Sequence, residues 1–141
     1  MNESDARTLF AASAVARLAT GDAGGRPHII PITFALLDPD RIVTAVDHKP
    51  KRTTALRRLA NIDHNPRVAV LVDHYEDDWR ALWWARADGR ARVLRSHLDE
   101  PDLRAAGVAS LQRRYPQYAA RPPAGPMVVI EVERWSSWRS S

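Results

Sequence analysis

Residues 28–37 read His28-Ile29-Ile30-Pro31-Ile32-Thr33-Phe34-Ala35-Leu36-Leu37. Rich in β-branched and aromatic residues, the run reads as a strand. The turn cluster Gly21-Asp22-Ala23-Gly24-Gly25 precedes it, and Asp38-Pro39-Asp40 turns the chain after it. Val15 to Thr20 reads as the strand before, and Arg41 to Val46, with Ile42-Val43-Thr44-Ala45-Val46, as the strand that comes back. Three strands with short connections predict an antiparallel meander. Ile29 to Leu37 is also the longest uncharged apolar stretch, interrupted by Pro31 and Thr33. It falls well short of the roughly 18–20 apolar residues of a membrane span.

Working outward, Ser4 is positioned to cap a first helix that carries Leu9, Phe10 and Ala14 on one face. After the meander, Asp47-His48-Lys49-Pro50-Lys51 breaks the β pattern. Thr53 to Ile62 takes helical spacing, with Leu56, Leu59 and Ile62 on one side, and Asn65-Pro66 ends it. Arg67 to Asp73 alternates, so Val68, Val70 and Val72 face one way and Ala69 and Leu71 the other. Tyr75-Glu76-Asp77-Asp78 is a polar loop. Ala81 to Leu94 has strand character on both sides of Asp88-Gly89, which reads as a hairpin turn or as a bulge in one long strand. Asp99 is placed to cap a helix near Pro101 that carries Leu103, Leu111 and Tyr115. Pro116 to Pro126 reads as a Pro-rich loop and Met127 to Val132 as a last strand, closed by Arg134-Trp135-Ser136-Ser137-Trp138. The chain is therefore mostly β with inserted helices: about six antiparallel strands, best closed into a small barrel that removes its edges.

The 141 residues suit one domain, 1–141, and the 45% hydrophobic and 27% charged composition is that of a globular chain. With no cysteine, disulfides, Cys-based zinc sites, Cys nucleophiles and Fe–S clusters are excluded. The start, Met1-Asn2-Glu3-Ser4-Asp5, has neither a basic region nor a long apolar region, so a cytoplasmic protein is expected. Net charge is +4, from 19 Arg and 2 Lys against 17 acidic residues, and points to an anionic partner.

Both lysines fall in Lys49-Pro50-Lys51-Arg52-Thr53-Thr54, where a strand ends and a helix begins. Free N–H groups and the dipole of a helix N-terminus attract anions, and Lys, Arg and Thr are suitable phosphate donors. A solvated basic helix start is the alternative. Arg57, one turn on, either extends the anion site or faces solvent. No helix-turn-helix, zinc module or aromatic RNA-binding motif accompanies the basic run, so nucleic acid is not the expected partner. His28, His48, His64, His74 and His97 form no HxxxH or HExxH pair, and His74 with Asp73, Asp77 and Asp78 reads as a polar loop rather than a metal cluster. No P-loop, nucleophile elbow or G-x-G-x-x-G is present. Five tryptophans remain: Trp79, Trp83, Trp84, Trp135 and Trp138. Each alone reads as core packing. Adjacent Trp83 and Trp84 on a strand must point to opposite faces, so one fills the barrel while the other marks an interface or a ligand platform. Trp135 and Trp138 are placed to cover a flat ligand or a second subunit.

The segments Arg17-Leu18-Ala19-Thr20, Gly25 to Phe34, Lys49-Pro50-Lys51 and Asn65-Pro66-Arg67-Val68 together resemble the pyridoxamine 5′-phosphate oxidase-like split β-barrel superfamily. The stretch Leu71 to Tyr75, with Asp78-Trp79, Leu82 to Arg86 and Asp88 to Ala91, is similar to its actinobacterial branch of deazaflavin (coenzyme F420)-dependent enzymes. The resemblance implies a six-stranded split-barrel homodimer with cofactor grooves at the subunit interface, and favours the bulge at Asp88-Gly89. It implies a flavin-type ring along Pro31, Ile32 and Thr33, with Thr44, Ala45 and Val46 on the adjacent strand. The cofactor phosphate would be held by Lys49 and Lys51, with Arg52 and Thr53, and Trp84 and Trp138 would reach across the interface. The implied function is hydride transfer between coenzyme F420 and a small organic acceptor. An FMN oxidoreductase of the same fold, or a non-enzymatic flavin, deazaflavin or haem binder, is the alternative.

Overall fold

The run from His28 to Leu37 forms two strands rather than one. A computed structural model describes residues 2–46 and 53–141, with only the backbone described over 53–56. Its strands are β1 (Ala16–Gly21), β2 (Pro27–Ile32), β3 (Ala35–Leu37), β4 (Arg41–Ala45), β5 (Arg67–His74), β6 (Trp83–Leu94) and β7 (Met127–Arg139). The helices are α1 (Glu3–Ala12), α2 (Thr53–His64), α3 (Pro101–Arg114) and α4 (Pro116–Ala120), with a 3-10 turn at Trp79–Ala81. The strands form one antiparallel sheet in the order β2-β1-β5-β6-β7-β4-β3.

The described residues thus hold seven strands where six were expected, and the barrel is not closed by hydrogen bonds, since β2 and β3 are the two edges. The reason lies in Thr33 and Phe34, which alone separate Ile32 of β2 from Ala35 of β3. Laid flat, seven strands would put those edges about 29 Å apart. Three residue steps span at most about 10 Å. The sheet must therefore curl until its edges approach. Pro27 and Pro31, which cannot donate to a second neighbour, suit β2 to the edge.

The curl encloses the main core, where Phe10, Leu18, Phe34, Ile42, Val70, Val72, Ile130 and Trp135 pack together. On β5 the expected alternation holds, with Val68, Val70 and Val72 buried. A second core of Val43, Ala45, Leu111, Met127 and Val129 lies on the other face of β4 and β7, under α3. β4 is consequently buried on both faces.

Local chemistry differs from expectation at several ends. Asn2, not Ser4, caps α1, in a reciprocal box with Asp5. Glu100, at φ 43°, occupies the cap of α3, while the Asp99 carboxylate accepts from the Arg95 and Ser96 amides. The Pro-rich stretch contains α4, started by Pro116. Trp135 does not cover a ligand. It is buried edge-on against Phe10, and its Nε1 donates to Asp40, which also meets Arg7. No helix among the described residues is long and apolar enough to cross a membrane.

Asp88-Gly89 is a bulge in one long strand. Asp88 pairs with Arg134 but Gly89 with Val132, so the extra residue, Glu133, lies on β7. A Cβ added at Gly89 would stand 2.2 Å from the Glu131 carbonyl oxygen, so only glycine permits this approach. Gly89→Ala is expected to cost roughly 1–3 kcal/mol by forcing the strands apart, read as a lower urea midpoint with an unchanged slope.

Candidate functional site

The bend at Thr33–Phe34 leaves a gap in the ladder. β3 pairs with β4 only as far as Ala35↔Val43. Continued two residues further, that register would set Thr33 against Ala45, but the ladder ends before them. On its other side β4 continues to bond β7 through Thr44↔Val128 and Ala45↔Met127, and Val46 N–H donates to the Pro126 carbonyl at 2.9 Å. β4 is therefore not the neighbour of β2, as was expected, but of β3 and β7. Of the residues expected to contact a ring, Pro31 is exposed, Thr33 half-buried, and Ile32, Thr44, Ala45 and Val46 buried. Because Ala45 and Val46 place their side chains in the two cores, these strands can offer a ligand backbone rather than side chains. Thr44 Oγ1 is enclosed and has no hydrogen-bond partner.

Lys49, Lys51 and Arg52 lie outside the described residues, as does the side chain of Thr53 at the start of α2. One turn further on, Arg57 is exposed and Arg58 half-buried. The Arg58 Nε is enclosed without a hydrogen-bond partner. Burial holds its guanidinium below the usual value, with nearby Tyr118 pulling the other way. His28, on β2, has an enclosed, unpartnered Nδ1. Burial first, then Arg57 and Arg58, push its pKa below the ordinary value. Arg58 thus feels both ends of β2: His28 near its start, and Tyr118, whose hydroxyl is 3.4 Å from Thr33 Oγ1, past its end. A small cavity of about 30 Å³ beside them is lined by Asp22, Arg26, Pro27, His28, Arg57 and Asn61. The Asp22 carboxylate there is already occupied by the Gly24 and Arg26 amides at 2.9 and 2.8 Å. Unpaired, half-buried positive groups are costly unless an anion completes them. Arg58 was not singled out as a site residue from sequence. Its signal is helical spacing, since it stands one turn before buried Ile62 and beside buried Leu59.

The tryptophans divide as adjacency requires. Trp83 turns inward, packed against the core and stacked on His74, with ring centroids 6.3 Å apart. Trp84 turns outward and lines a groove of about 310 Å³ with Leu71, Asp73, Tyr75 and Arg86. Trp138, directly opposite Trp84 across the β6–β7 ladder, lines a second hollow of about 390 Å³ with Ser137, Arg139 and Ser141. Trp79, in the loop between β5 and β6, is 76% exposed. Trp84 sits on β6, three strands from β2, or roughly 14 Å at sheet spacing. Trp138 sits on β7, next to β4, but eleven residues along it from Met127, the partner of Ala45.

The profile of pyridoxamine 5′-phosphate oxidase matches residues 3–139. The chain belongs to the pyridoxamine 5′-phosphate oxidase family. No curated protein matches it. Among solved structures, a conserved hypothetical protein of Mycobacterium tuberculosis is similar at TM-score 0.72 and 23% identity, over 99% of this chain and 86% of that one. A FAD-binding protein of Mesorhizobium loti is similar at 0.71 and 20%, over 97% and 94%. The haem storage protein HutZ of Vibrio cholerae is similar at 0.71 and 17%, over 99% and 95%. These likenesses are of fold. Within this family member, the curled sheet, the backbone gap and the unpaired cations beside it form the candidate site.

Two outcomes test that site. Arg58→Met should leave the ligand-free protein as stable or more stable in urea, because a half-buried charge without a partner is removed, while lowering affinity for inorganic phosphate about tenfold or more. His28 should titrate below the model-peptide value of 6.5. Its depressed pKa contributes stability that is present above 6.5 and lost as pH falls through the folded value. A bound anion should raise that pKa, which a proton NMR titration of His28 with and without phosphate measures.

Proposed function

We propose that this member of the pyridoxamine 5′-phosphate oxidase family binds a phosphorylated flavin-type cofactor and is a deazaflavin (coenzyme F420)-dependent oxidoreductase. The observation that carries the reading is the half-buried Arg58, which has no acidic partner among the described residues and lies near His28 and near Tyr118, whose hydroxyl is beside Thr33. The orphaned Arg58 Nε, His28 Nδ1 and Thr44 Oγ1 fit a ligand that brings both an anion and a polar ring edge. Arg58 and His28, with Lys49, Lys51, Arg52 and Thr53, which come before Arg58 in sequence, would hold the phosphate. The peptide groups of Pro31, Ile32 and Thr33, and those of Thr44, Ala45 and Val46, would orient the ring. Such a ring supplies two-electron hydride chemistry to a small organic acceptor, so no side-chain acid or base is obligatory. The protein's part is to grip, orient and exclude water.

Water exclusion needs a second copy. Pro31, Arg17, Leu71, Arg86 and Ser136 form one row across the outer sheet face, and Asp73, Trp84 and Trp138 the next. Ile29, 63% exposed, belongs to the same face. Its charges are self-paired, Arg17 with Asp73 and Arg86 with Asp88, which leaves the apolar residues free to meet their own copy around a twofold axis. A homodimer through this face would bring Trp84 and Trp138 of one protomer over the gap of the other.

FMN is the second reading of the cofactor, favoured by the FAD-binding protein of similar fold. The haem storage protein of similar fold favours a carrier without turnover. Titration with FMN and with the deazaflavin, followed by tryptophan fluorescence, separates the cofactors. Oxidation of the reduced deazaflavin by a panel of organic acceptors then separates enzyme from carrier. The expected result is stoichiometric deazaflavin binding with turnover. Binding that Arg58→Ala leaves unchanged would remove the site. In sedimentation the wild type should run as a dimer, and Ile29→Glu as a folded monomer with weakened cofactor binding.

A further inference from the structure

The bend is held by one hydroxyl. Phe34 lies between β2 and β3, outside both ladders, and its buried peptide groups must find partners elsewhere. Tyr115, the residue that follows α3, provides them. Its Oη accepts from the Phe34 N–H at 3.0 Å and faces the carbonyls of Ala14 at 2.8 Å and Phe34 at 3.1 Å. A phenol carries a single proton, so it donates to one carbonyl at a time, with Ala14 the shorter contact. Ala14 leads into β1, and β1 pairs with β2 up to Ala16↔Ile32. One oxygen therefore joins the end of α3, the entry to β1 and the bend.

The rings around it complete a clamp. The Arg114 guanidinium lies 4.7 Å from the Phe34 ring centre and 5.6 Å from that of Tyr115. Tyr118 meets Tyr115 edge-on at 5.9 Å, and its hydroxyl is the one beside Thr33. Helices α3 and α4 thus reach around to fix two consecutive residues that the sheet itself leaves free.

We infer that Tyr115 is a positioning residue for the bound ring, setting the Thr33–Phe34 peptide against which that ring would lie. This role rests on the cofactor reading above. It bears on the ring's place and not the phosphate's, because Tyr115 meets Phe34, Ala14, Arg114 and Tyr118 and neither Arg58 nor His28.

Tyr115→Phe keeps the ring and removes the hydroxyl. In the variant, the Kd for FMN and for riboflavin should rise by the same factor, about fivefold for one lost hydrogen bond. The visible band of bound FMN should shift toward its free form, and the Kd for inorganic phosphate should stay put. By hydrogen exchange, the Phe34 amide should be protected in the wild type and exchange about fivefold or more faster in the variant. Val70, in the centre of the sheet, should be unaffected. The role is overturned if FMN binds the variant as tightly with an unaltered spectrum. It is equally overturned if phosphate binding and Val70 protection fall together with FMN binding, or if Phe34 is unprotected in the wild type. A wild type that binds neither FMN nor the deazaflavin fails earlier and elsewhere: it removes the cofactor reading itself.

Discussion

A chain that leaves one edge of a sheet and two residues later enters the other edge cannot leave that sheet flat. Thr33 and Phe34 impose this condition, and the architecture follows from it. The curl encloses Phe10, Phe34 and Trp135 in one core and turns the back of β4 and β7 into a seat for α3. The same two residues prevent full closure, because a strand that changes sides cannot bond along its length to either neighbour. The gap is therefore a consequence of the curl. It exposes peptide edges between two well-packed cores, a rigid place for a flat polar-edged ligand.

Charge marks the same place. Elsewhere, part-buried arginines are met: Arg7 by Asp40, Arg41 and Arg92 by Glu131, Arg92 also by Glu100, and Arg104 by the Leu94 and Gly125 carbonyls. The Arg92 network lowers the pKa of Glu100, chiefly through the hydrogen bond, and ties β6 and β7 to the start of α3. Arg58 breaks that habit. Among the described residues Arg58 has an enclosed Nε without a hydrogen-bond partner and no ion pair, whereas Arg114, also without an acid, lies over the Phe34 and Tyr115 rings.

The third element is the outer sheet face, where alternation sets Trp84 outward and Trp83 inward on consecutive residues. Ile29, Trp84 and Trp138 share one surface, and Trp138, although on the strand next to β4, stands eleven residues along β7 from Met127, the partner of Ala45 at the gap. Distance within the chain therefore argues for a second copy more strongly than exposure does.

Much of this was legible in the sequence because it depends on neighbours in the chain. Alternation on β5, the helical spacing of α2, the opposed directions of Trp83 and Trp84, and a glycine at Asp88-Gly89 all follow from local periodicity and backbone sterics. The placing of Thr44, Ala45 and Val46 on the strand adjacent to Pro31, Ile32 and Thr33 came from the family resemblance, and the sheet order does not pair those strands. What only the tertiary structure decided involves partners remote in sequence. The interruptions at Pro31 and Thr33 do not say where the chain will pass from one edge of the sheet to the other, so β2 and β3 read as one strand. Trp135 read either as core packing or as a cover for a ligand or a second subunit until Phe10 and Asp40, more than ninety positions away, claimed it for the core. Arg58 carried no site reading until folding enclosed its Nε without a hydrogen-bond partner, and Tyr115 read as one residue of a helix face until its hydroxyl met Phe34 and Ala14. Periodicity assigns a side chain to a face; whether a polar atom on that face finds a partner depends on the chain that packs against it.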